Sequence, residues 1–187
     1  MTVAGSGLSV VPLTPGRLDD LATVFGTRGD ASWCWCRFFV TTGRDAEKAD
    51  VNQAALHAEV REASAPIGLI AYAGAEPVGW LRLGPREDYP RLAEAVPGAS
   101  GRLWRVTCFV VRVGHRRRGV ASALLDAGIG FAREQGADVL EGQPVDTAGE
   151  RKPGASLFHG TLSLFAARGF TEVARPRPGR PVVRLEL

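Results

Sequence analysis

The sequence predicts one domain of the α/β (α+β) class, with a mixed, mostly antiparallel β-sheet flanked by helices. The 187 residues are enough to bury one sizeable core. A nearly continuous apolar, β-prone run at residues 103–113 leads into an amphipathic helical pattern at 120–135. Short β-prone runs separated by turns at 67–83 and 170–187 predict antiparallel hairpins. Since no repeat or linker divides the chain, we expect a single domain over residues 1–187.

Residues 8–13 predict the first strand. Thr14 then has the character of a helix N-cap, with Pro15 at the first helical position. The helix that follows ends at Gly26, and its apolar residues share one face: Leu18, Leu21, Val24 and Phe25.

The next segment, residues 30–39, is rich in aromatic side chains, with Trp33 and Trp35 two residues apart. Two interpretations stay open: a short segment packed over the core, or a wall of a substrate pocket. Residues 45–63 are rich in good helix formers and predict a surface helix, on which His57 is expected to be solvated.

A β-hairpin is predicted next, with strands at 67–73 and 78–83. The Pro- and Gly-containing residues 84–102 predict a long irregular loop. Residues 103–113 predict a strand buried on both faces, and 120–135 an amphipathic helix.

The last third of the chain adds a strand at 139–145, joined by a right-handed crossover if it is parallel to its predecessor. Residues 146–154 predict a loop and 157–168 a shorter helix. Two final strands, at 170–174 and 181–187, are joined by an Arg- and Pro-rich turn and predict a hairpin.

Composition limits the functions that are compatible with this chain. Hydrophobic residues make up 45% and charged residues 23%, as in typical globular proteins. No apolar run approaches the roughly 20 residues of a membrane span, and the first residues lack a signal-peptide pattern. We therefore expect a cytoplasmic protein without a membrane partner. The net charge of +3 and the mostly dispersed arginines do not predict a nucleic-acid-binding face.

The cysteines are Cys34, Cys36 and Cys108. Their odd number argues against a disulfide framework. Cys34 and Cys36 are too close in sequence for a C-x-x-C zinc knuckle, and no second Cys/His pair is nearby. We expect small buried residues and no metal.

Functional chemistry is most strongly indicated at residues 115–122, where the predicted strand turns into the helix. Backbone N–H groups at a helix N-terminus are unpaired and lie at the positive end of the helix dipole. Three consecutive arginines, at 116–118, add fixed charge and forked donors. The turn therefore predicts a site for phosphate or pyrophosphate.

The pattern Arg116-x-x-Gly119-x-Ala121 at this turn resembles the acetyl-coenzyme A signature of the GNAT superfamily of N-acetyltransferases. Downstream, Phe165 and the following Gly169-Phe170 are similar to the family's Tyr-x-x-x-Gly-Phe element. The resemblance covers about residues 8–187. It implies a sheet with splayed central strands, acetyl-coenzyme A (acetyl-CoA) as co-substrate, a pyrophosphate on the turn and a pantetheine paired with the preceding strand. The cofactor-binding residues it implies are Phe109, Val110, Val111, Arg116, Arg117, Arg118, Gly119, Val120, Ala121, Ser122 and Phe165.

Two residues depart from the family's usual catalytic pattern. Where many members place a glutamate base on the signature strand, this chain has Arg105, and Phe165 replaces the tyrosine that protonates the leaving thiolate. Three explanations stay open. Another group serves as the base, the enzyme positions an already deprotonated amine, or the protein binds acetyl-CoA without transfer. The candidate groups are Glu141, Asp146, His159 and Ser163, of which we select Asp146 and His159 as catalytic.

The resemblance implies that the acceptor enters from the side of residues 33–39 and 84–102. Trp33 and Trp35 are the predicted substrate-binding residues, and they favour a small-molecule primary amine over a protein acceptor. A non-catalytic acyl-CoA sensor and a protein N-acetyltransferase are the alternatives. An acetyl group carried by Cys108 is disfavoured, because its apolar strand predicts a buried, inert thiol. The resemblance also implies a homodimer.

Overall fold

The structure is a computed structural model that describes residues 7–41, 48–92 and 98–187. Within these ranges, seven strands form one mixed sheet in the order β1-β2-β3-β4-β5-β7-β6, which confirms the predicted fold class. β4 and β5 are parallel, and the other neighbours are antiparallel. The strands are β1 Leu8–Pro12, β2 Gly68–Ala73, β3 Glu76–Pro85, β4 Leu103–Val111, β5 Val139–Gly142, β6 Thr171–Arg177 and β7 Arg180–Glu186.

Helices cover both faces of the sheet, and each face has its own buried apolar cluster. One cluster includes α4, and the other includes α1 and α3. The helices are α1 Leu18–Phe25, preceded by a 3-10 turn at Pro15–Arg17, then α2 Asp30–Cys34, α3 Ala49–Glu62, α4 Val120–Glu134 and α5 Leu162–Ala166. Across the described residues, no helix has the length and apolar character needed to cross a membrane.

The amphipathic pattern of α4 is confirmed, and two glycines bring the helix close to the sheet. A Cβ at Gly79 would lie 2.6 Å from a methyl of Val120, and a Cβ at Gly128 would lie 2.6 Å from a methyl of Leu81. Real Cβ contacts are longer, so only glycine permits this approach. The packing fixes the position of the α4 N-terminus relative to the central strands.

The central strands separate where the family resemblance predicts. β4 pairs with β5 only over Leu103–Val106, and β4 continues to Val111. A register shift in the β3–β4 pairing at Arg82/Leu83 places a bulge at the same level. The second half of β4 therefore leaves one backbone edge without a neighbouring strand.

Several local predictions are wrong. β5 ends at Gly142, and Val145 makes only an isolated bridge to Thr161. The predicted helix at 157–168 is interrupted, because Gly160 has a φ of 75° and α5 begins only at Leu162. Residues 45–47 of the predicted helix at 45–63 lie outside the described residues.

His57 is also placed differently from the prediction. It is half-buried on α3, and its ring lies edge-on to Trp35 at 5.8 Å. Burial, reinforced by the charge of Arg61, lowers the pKa of His57. The solvated helix position expected from the polar neighbours of His57 is therefore incorrect.

Candidate functional site

The turn between β4 and α4 has the backbone geometry of an anion-binding helix start. Gly114, Arg117 and Gly119 all have positive φ, at 91°, 60° and 80°. The first intrahelical hydrogen bond of α4 is donated by the Ala123 N–H to the Gly119 carbonyl at 2.9 Å. The N–H groups of residues 120–122 therefore precede the hydrogen-bond ladder and remain directed out of the helix end, where the helix dipole is positive.

The three arginines of this turn have different environments. Arg116 donates from Nε to the Val111 carbonyl at 3.2 Å, and its Nη1 would be only 2.7 Å from a Cβ at Gly154. Arg117 and Arg118 are exposed, and the described residues offer their guanidinium groups no hydrogen-bond or ion-pair partner. Two fixed positive charges are thus available beside the N-terminus of α4.

The open edge of β4 carries the backbone groups of alternate residues. The Arg112 N–H donates to the Val78 carbonyl of β3 at 3.0 Å, and Val110 is opposite Trp80 in the same ladder. Because antiparallel pairing alternates, Val110 directs its backbone groups to β3, while Phe109 and Val111 direct theirs to the open edge. Of the three predicted backbone contacts, Phe109 and Val111 therefore direct their backbone groups towards a ligand at this edge, and the contacts themselves stay predictions.

A neighbouring segment already contacts this edge. The Phe109 N–H donates to the Phe158 carbonyl at 2.6 Å. Val145 fixes the segment, since its N–H donates to the Gly160 carbonyl at 2.9 Å. A Cβ at Gly160 would lie 3.2 Å from the ring of Phe109. Residues 154–160 therefore lie directly against the gap between β4 and β5.

Phe165 closes the bottom of the same gap. Its ring is fully buried and lies perpendicular to Phe109 and nearly perpendicular to Phe170, with centroid distances of 6.1 Å and 4.9 Å. A Cβ at Gly142 would lie 2.5 Å from the Phe165 ring. Phe165 therefore supports the gap by packing, and its predicted direct contact with the cofactor stays a prediction.

His159 lies beside this gap, whereas Asp146 belongs to a surface ion-pair network. Burial, with the charges of Arg180 and Arg105, lowers the pKa of His159 to about 3. The Asp146 carboxylate accepts from Arg175 Nη1 at 2.7 Å and from the Ala148 N–H at 3.0 Å, and these bonds lower its pKa. Both groups hold a proton poorly near neutral pH, which weakens each as a general base.

Glu141, another candidate base, is enclosed by two guanidinium groups. Arg105 Nη1 donates to one carboxylate oxygen, and Arg184 Nε donates to the other at 2.7 Å. All three side chains are buried, and burial lowers the pKa of Arg105. Arg105, at the family's usual base position, is thus one member of a buried ion triad, in which guanidinium groups occupy both oxygens of Glu141.

The two tryptophans predicted to bind substrate differ in exposure. Trp33 is 46% exposed, whereas Trp35 is 5% exposed and packs on Phe25 with a centroid distance of 4.9 Å. The environment of Trp35 therefore agrees with the interpretation of a segment packed over the core. Its ring has almost no exposed surface with which to contact a substrate. Trp33 retains an accessible face.

The aromatic rings of Phe39 and Phe158 meet at His159. The Phe39 ring lies 5.2 Å from the His159 ring, and Phe158 lies 4.1 Å from it. The Arg91 N–H joins the adjoining loop to this group by donating to the Phe39 carbonyl at 3.2 Å. Phe39, Phe158 and His159 form what we call the aromatic group, which lies next to the open edge of β4.

Sequence reasoning missed a second shared carboxylate in this region. Arg37 and Arg82 both donate to Glu59, and the Arg82 guanidinium lies 5.8 Å from the centre of the Tyr89 ring. Arg82 and Tyr89 are almost completely buried. The only available signal was an arginine within the apolar run of β3, which by itself does not identify a partner on α3.

This fold, with a helix N-terminus adjacent to the gap between splayed strands, is the one that the family resemblance implies. The profile described as the acetyltransferase (GNAT) family matches residues 31–149, more than half of the chain. The chain belongs to this family, which confirms the predicted resemblance. Acetyl-CoA is the co-substrate of GNAT acetyltransferases, as predicted.

Solved structures with the same fold are similar over nearly the whole chain. The GNAT domain of PAT from S. lividans has a TM-score of 0.59 and 19% identity, with coverage of 95% of this chain and 89% of that chain. The putative acetyltransferase yncA from Salmonella typhimurium, solved with acetyl-CoA, has a TM-score of 0.58, 15% identity and coverages of 97% and 94%. An agmatine N-acetyltransferase has a TM-score of 0.58, 13% identity and coverages of 97% and 100%. No curated protein matches the chain in sequence.

Proposed function

We propose that this protein transfers the acetyl group of acetyl-CoA directly to the primary amine of a small molecule. The observation that carries the proposal is that the anion-binding turn and the open backbone edge of β4 adjoin each other. The free N–H groups at 120–122 and the arginines 117 and 118 lie at one end of β4, and the open backbone edge of Phe109 and Val111 leads away from them. A ligand with an anionic group followed by an amide-containing chain, such as coenzyme A, has its groups in the same order as these two features.

The residues present fit acetyl-CoA at its anionic end. The N–H groups at 120–122 suit the pyrophosphate, and Arg117 and Arg118 add charge-assisted donors. Arg116 links the turn to Val111. When bound, acetyl-CoA supplies an activated acetyl thioester. For the Phe109 N–H to meet a ligand, the Phe158 carbonyl must release it, so residues 154–160 must withdraw from β4.

The environments of the candidate bases favour a mechanism that depends on positioning. The pKa values of Asp146 and His159 are lowered, and both carboxylate oxygens of Glu141 accept hydrogen bonds from buried guanidinium groups. A correctly placed, already deprotonated amine gains most of its acceleration from proximity and orientation. We propose that His159, in its neutral form, positions the acceptor instead of removing its proton.

Three observations support a small-molecule acceptor. The aromatic group lies next to the open edge of β4, and Trp33 keeps an exposed face on the segment that the family resemblance assigns to the acceptor. Residues 154–160 narrow the approach to β4. One structure of similar fold is an agmatine N-acetyltransferase, an enzyme with a small-molecule substrate. The cytoplasmic location and the homodimer stay predictions.

A paired experiment tests the proposal. The release of free thiol from acetyl-CoA is measured with a panel of primary amines, and acetyl-CoA binding is measured separately by titration calorimetry. We expect acetyl-CoA to bind in the absence of an amine, and free thiol to be released only when an amine is present. Binding without release across the panel would favour the acyl-CoA sensor, and failure to bind would contradict both functions.

The pH dependence of turnover distinguishes positioning from base catalysis. If the amine arrives deprotonated, the rise of kcat/KM with pH follows the pKa of each acceptor and shifts when the acceptor is changed. A rise at one fixed pH for all acceptors would instead show that a protein group takes the proton.

A further inference from the structure

All three cysteines of the chain meet behind the open edge of β4. Cys36 Sγ lies 2.7 Å from Cys108 Sγ, although 72 positions separate the two residues in sequence. Both thiols are free and buried. Cys34, at the end of α2, is partly exposed and makes a side-chain hydrogen bond with Cys36. The expectation of small buried residues is confirmed for Cys36 and Cys108, whereas Cys34 is only partly buried.

The local backbone holds this arrangement in place. Trp35 and Cys36 follow α2 with φ values of 45° and 50°, a left-handed conformation that is uncommon for residues other than glycine. The buried Trp35 ring, packed on Phe25, fixes this turn. Cys108 is fixed by β4, where it is opposite Arg82 in the β3–β4 ladder. The turn after α2 and the strand β4 thus place the two sulfur atoms next to each other.

We propose that Cys36 and Cys108 form a redox-active thiol pair that a hydroperoxide converts to a disulfide, with Cys34 as the thiol that the oxidant meets first. A disulfide bond is about 2.05 Å long, so the sulfur atoms need to approach each other only by about 0.7 Å. The three sulfur atoms do not form a group that could hold a metal ion among the described residues.

Each step of the oxidation balances. Cys34 loses its proton and attacks the hydroperoxide as a thiolate, the O–O bond breaks, and the proton passes to the leaving oxygen, which yields a sulfenic acid and an alcohol. The Cys36 sulfur then attacks the Cys34 sulfur, the Cys36 proton leaves with the sulfenic hydroxyl group as water, and a Cys34–Cys36 disulfide forms. The Cys108 thiol then attacks the Cys36 sulfur and releases Cys34 as a thiol. In sum, two thiols and one hydroperoxide give one disulfide, one alcohol and one water.

The environments of the thiols explain why the outer cysteine is needed. Thiolates, not thiols, react with oxidants. Burial and the neighbouring Cys108 raise the pKa of Cys36 well above its ordinary value, although the Cys34 hydrogen bond and the Arg82 charge act in the opposite direction. Cys36 therefore stays protonated and shielded, while the partly exposed Cys34 is accessible to a small oxidant.

The disulfide would join the turn that follows α2 to the strand β4. Cys36 follows the α2 segment that carries Trp33, and Cys108 immediately precedes Phe109. Oxidation would therefore fix α2 to β4 at the residue before the open edge. This chemistry does not rest on the proposed acetyl transfer, because it requires only the three thiols and the oxidant.

The test uses the full chain, reduced and then exposed to hydrogen peroxide. Remaining thiols are alkylated under denaturing conditions, and the peptides are mapped by mass spectrometry. We expect a Cys36–Cys108 cross-link that lacks the mass of two hydrogen atoms, alkylated Cys34, and reversal by dithiothreitol. The oxidised protein should also unfold at a higher temperature, since a cross-link restricts the unfolded chain.

Cys34→Ser, Cys36→Ala and Cys108→Ala separate the roles. Cys34→Ser should slow cross-linking, and either alanine variant should abolish it together with the thermal shift. Circular dichroism shows whether each variant is folded. The peptide map of the wild-type protein tests the cross-link even if a variant fails to fold. Three free thiols after the peroxide is consumed, oxidation that ends at Cys34, or an equally fast Cys34→Ser variant would overturn the proposal. A Cys36–Cys108 cross-link that forms in the same yield when the protein is unfolded by urea would also overturn the proposal, because it would not depend on the folded structure.

Discussion

Replacing Glu141 by glutamine distinguishes a structural carboxylate from a catalytic one. Glu141 is fully buried, and each of its oxygens accepts a hydrogen bond, one from Arg105 and one from Arg184. Glutamine has nearly the same shape, so the substitution removes the negative charge with little change in packing. Arg105 and Arg184, both buried, then share the site without a counter-charge.

The expected loss follows from the burial of the triad. Breaking a buried ion pair from one side typically costs about 3–5 kcal/mol, since an uncompensated charge remains inside the protein. The glutamine amide also presents donors to one guanidinium where the carboxylate presented an acceptor. We therefore expect Glu141→Gln to lower the free energy of unfolding by about 3–5 kcal/mol, a large part of the stability of a typical domain.

Urea unfolding near neutral pH, followed by circular dichroism, measures this loss. Glu76→Gln is the matched control, because Glu76 is 50% exposed and pairs with Arg112 at 2.7 Å on the surface. An exposed pair contributes about 0–1 kcal/mol, so the control should change little. A Glu141→Gln protein that keeps its stability to within about 1 kcal/mol but loses turnover would refute the structural assignment.

Other predictions concern the cofactor turn and the two selected acid–base candidates. Arg117→Ala combined with Arg118→Ala should weaken acetyl-CoA binding by about 10-fold or more in titration calorimetry, since each charge-assisted bond contributes about 1.5–3 kcal/mol. Arg133→Ala, an exposed arginine at the far end of α4, should leave the affinity unchanged, and equal effects would contradict the turn assignment. The pKa of His159 is lowered from 6.5 to about 3, so its imidazole binds a proton more tightly in the unfolded chain than in the folded protein. The contribution of neutral His159 to the free energy of unfolding is therefore fully present above about pH 6.5, and it is lost as the pH falls towards about 3. His159→Gln should flatten this slope, which is at most about 1.4 kcal/mol per pH unit, and an unaltered slope in urea unfolding between about pH 5 and 6.5 would show that His159 is not its source. Asp146→Asn should leave the pH–rate profile of thiol release unchanged, since the carboxylate is held by Arg175 on the surface, and a lost or shifted limb would identify Asp146 as the base.

The features that local sequence determines were predictable. The apolar repeat of α4 and the Gly119 turn depend on residues close together in the chain, and the structure places both as expected. The final hairpin, β6 with β7, followed from two β-prone runs and a proline-containing turn. The gap between β4 and β5 came from the family resemblance, because no periodicity in either strand specifies where two neighbours separate.

Features that depend on register and tertiary packing were not predictable. Arg105, Glu141 and Arg184 meet because three strands place them in one row, and a shift of one residue would separate them. Cys36 and Cys108 belong to elements that are distant in sequence. Gly160 and the Phe158–Phe109 hydrogen bond replaced a predicted continuous helix, since the segment gains its contacts from β4 and not from its own periodicity.

Direct detection of the transferred group tests the central claim. The protein is incubated with acetyl-CoA carrying an isotopically labelled acetyl group and with a primary amine that supports thiol release, and the products are separated by mass spectrometry. Labelled acetyl on the amine nitrogen, in an amount equal to the thiol released, is the result that direct transfer predicts. Labelled acetate with an unmodified amine, or no consumption of acetyl-CoA across the amine panel, would contradict it.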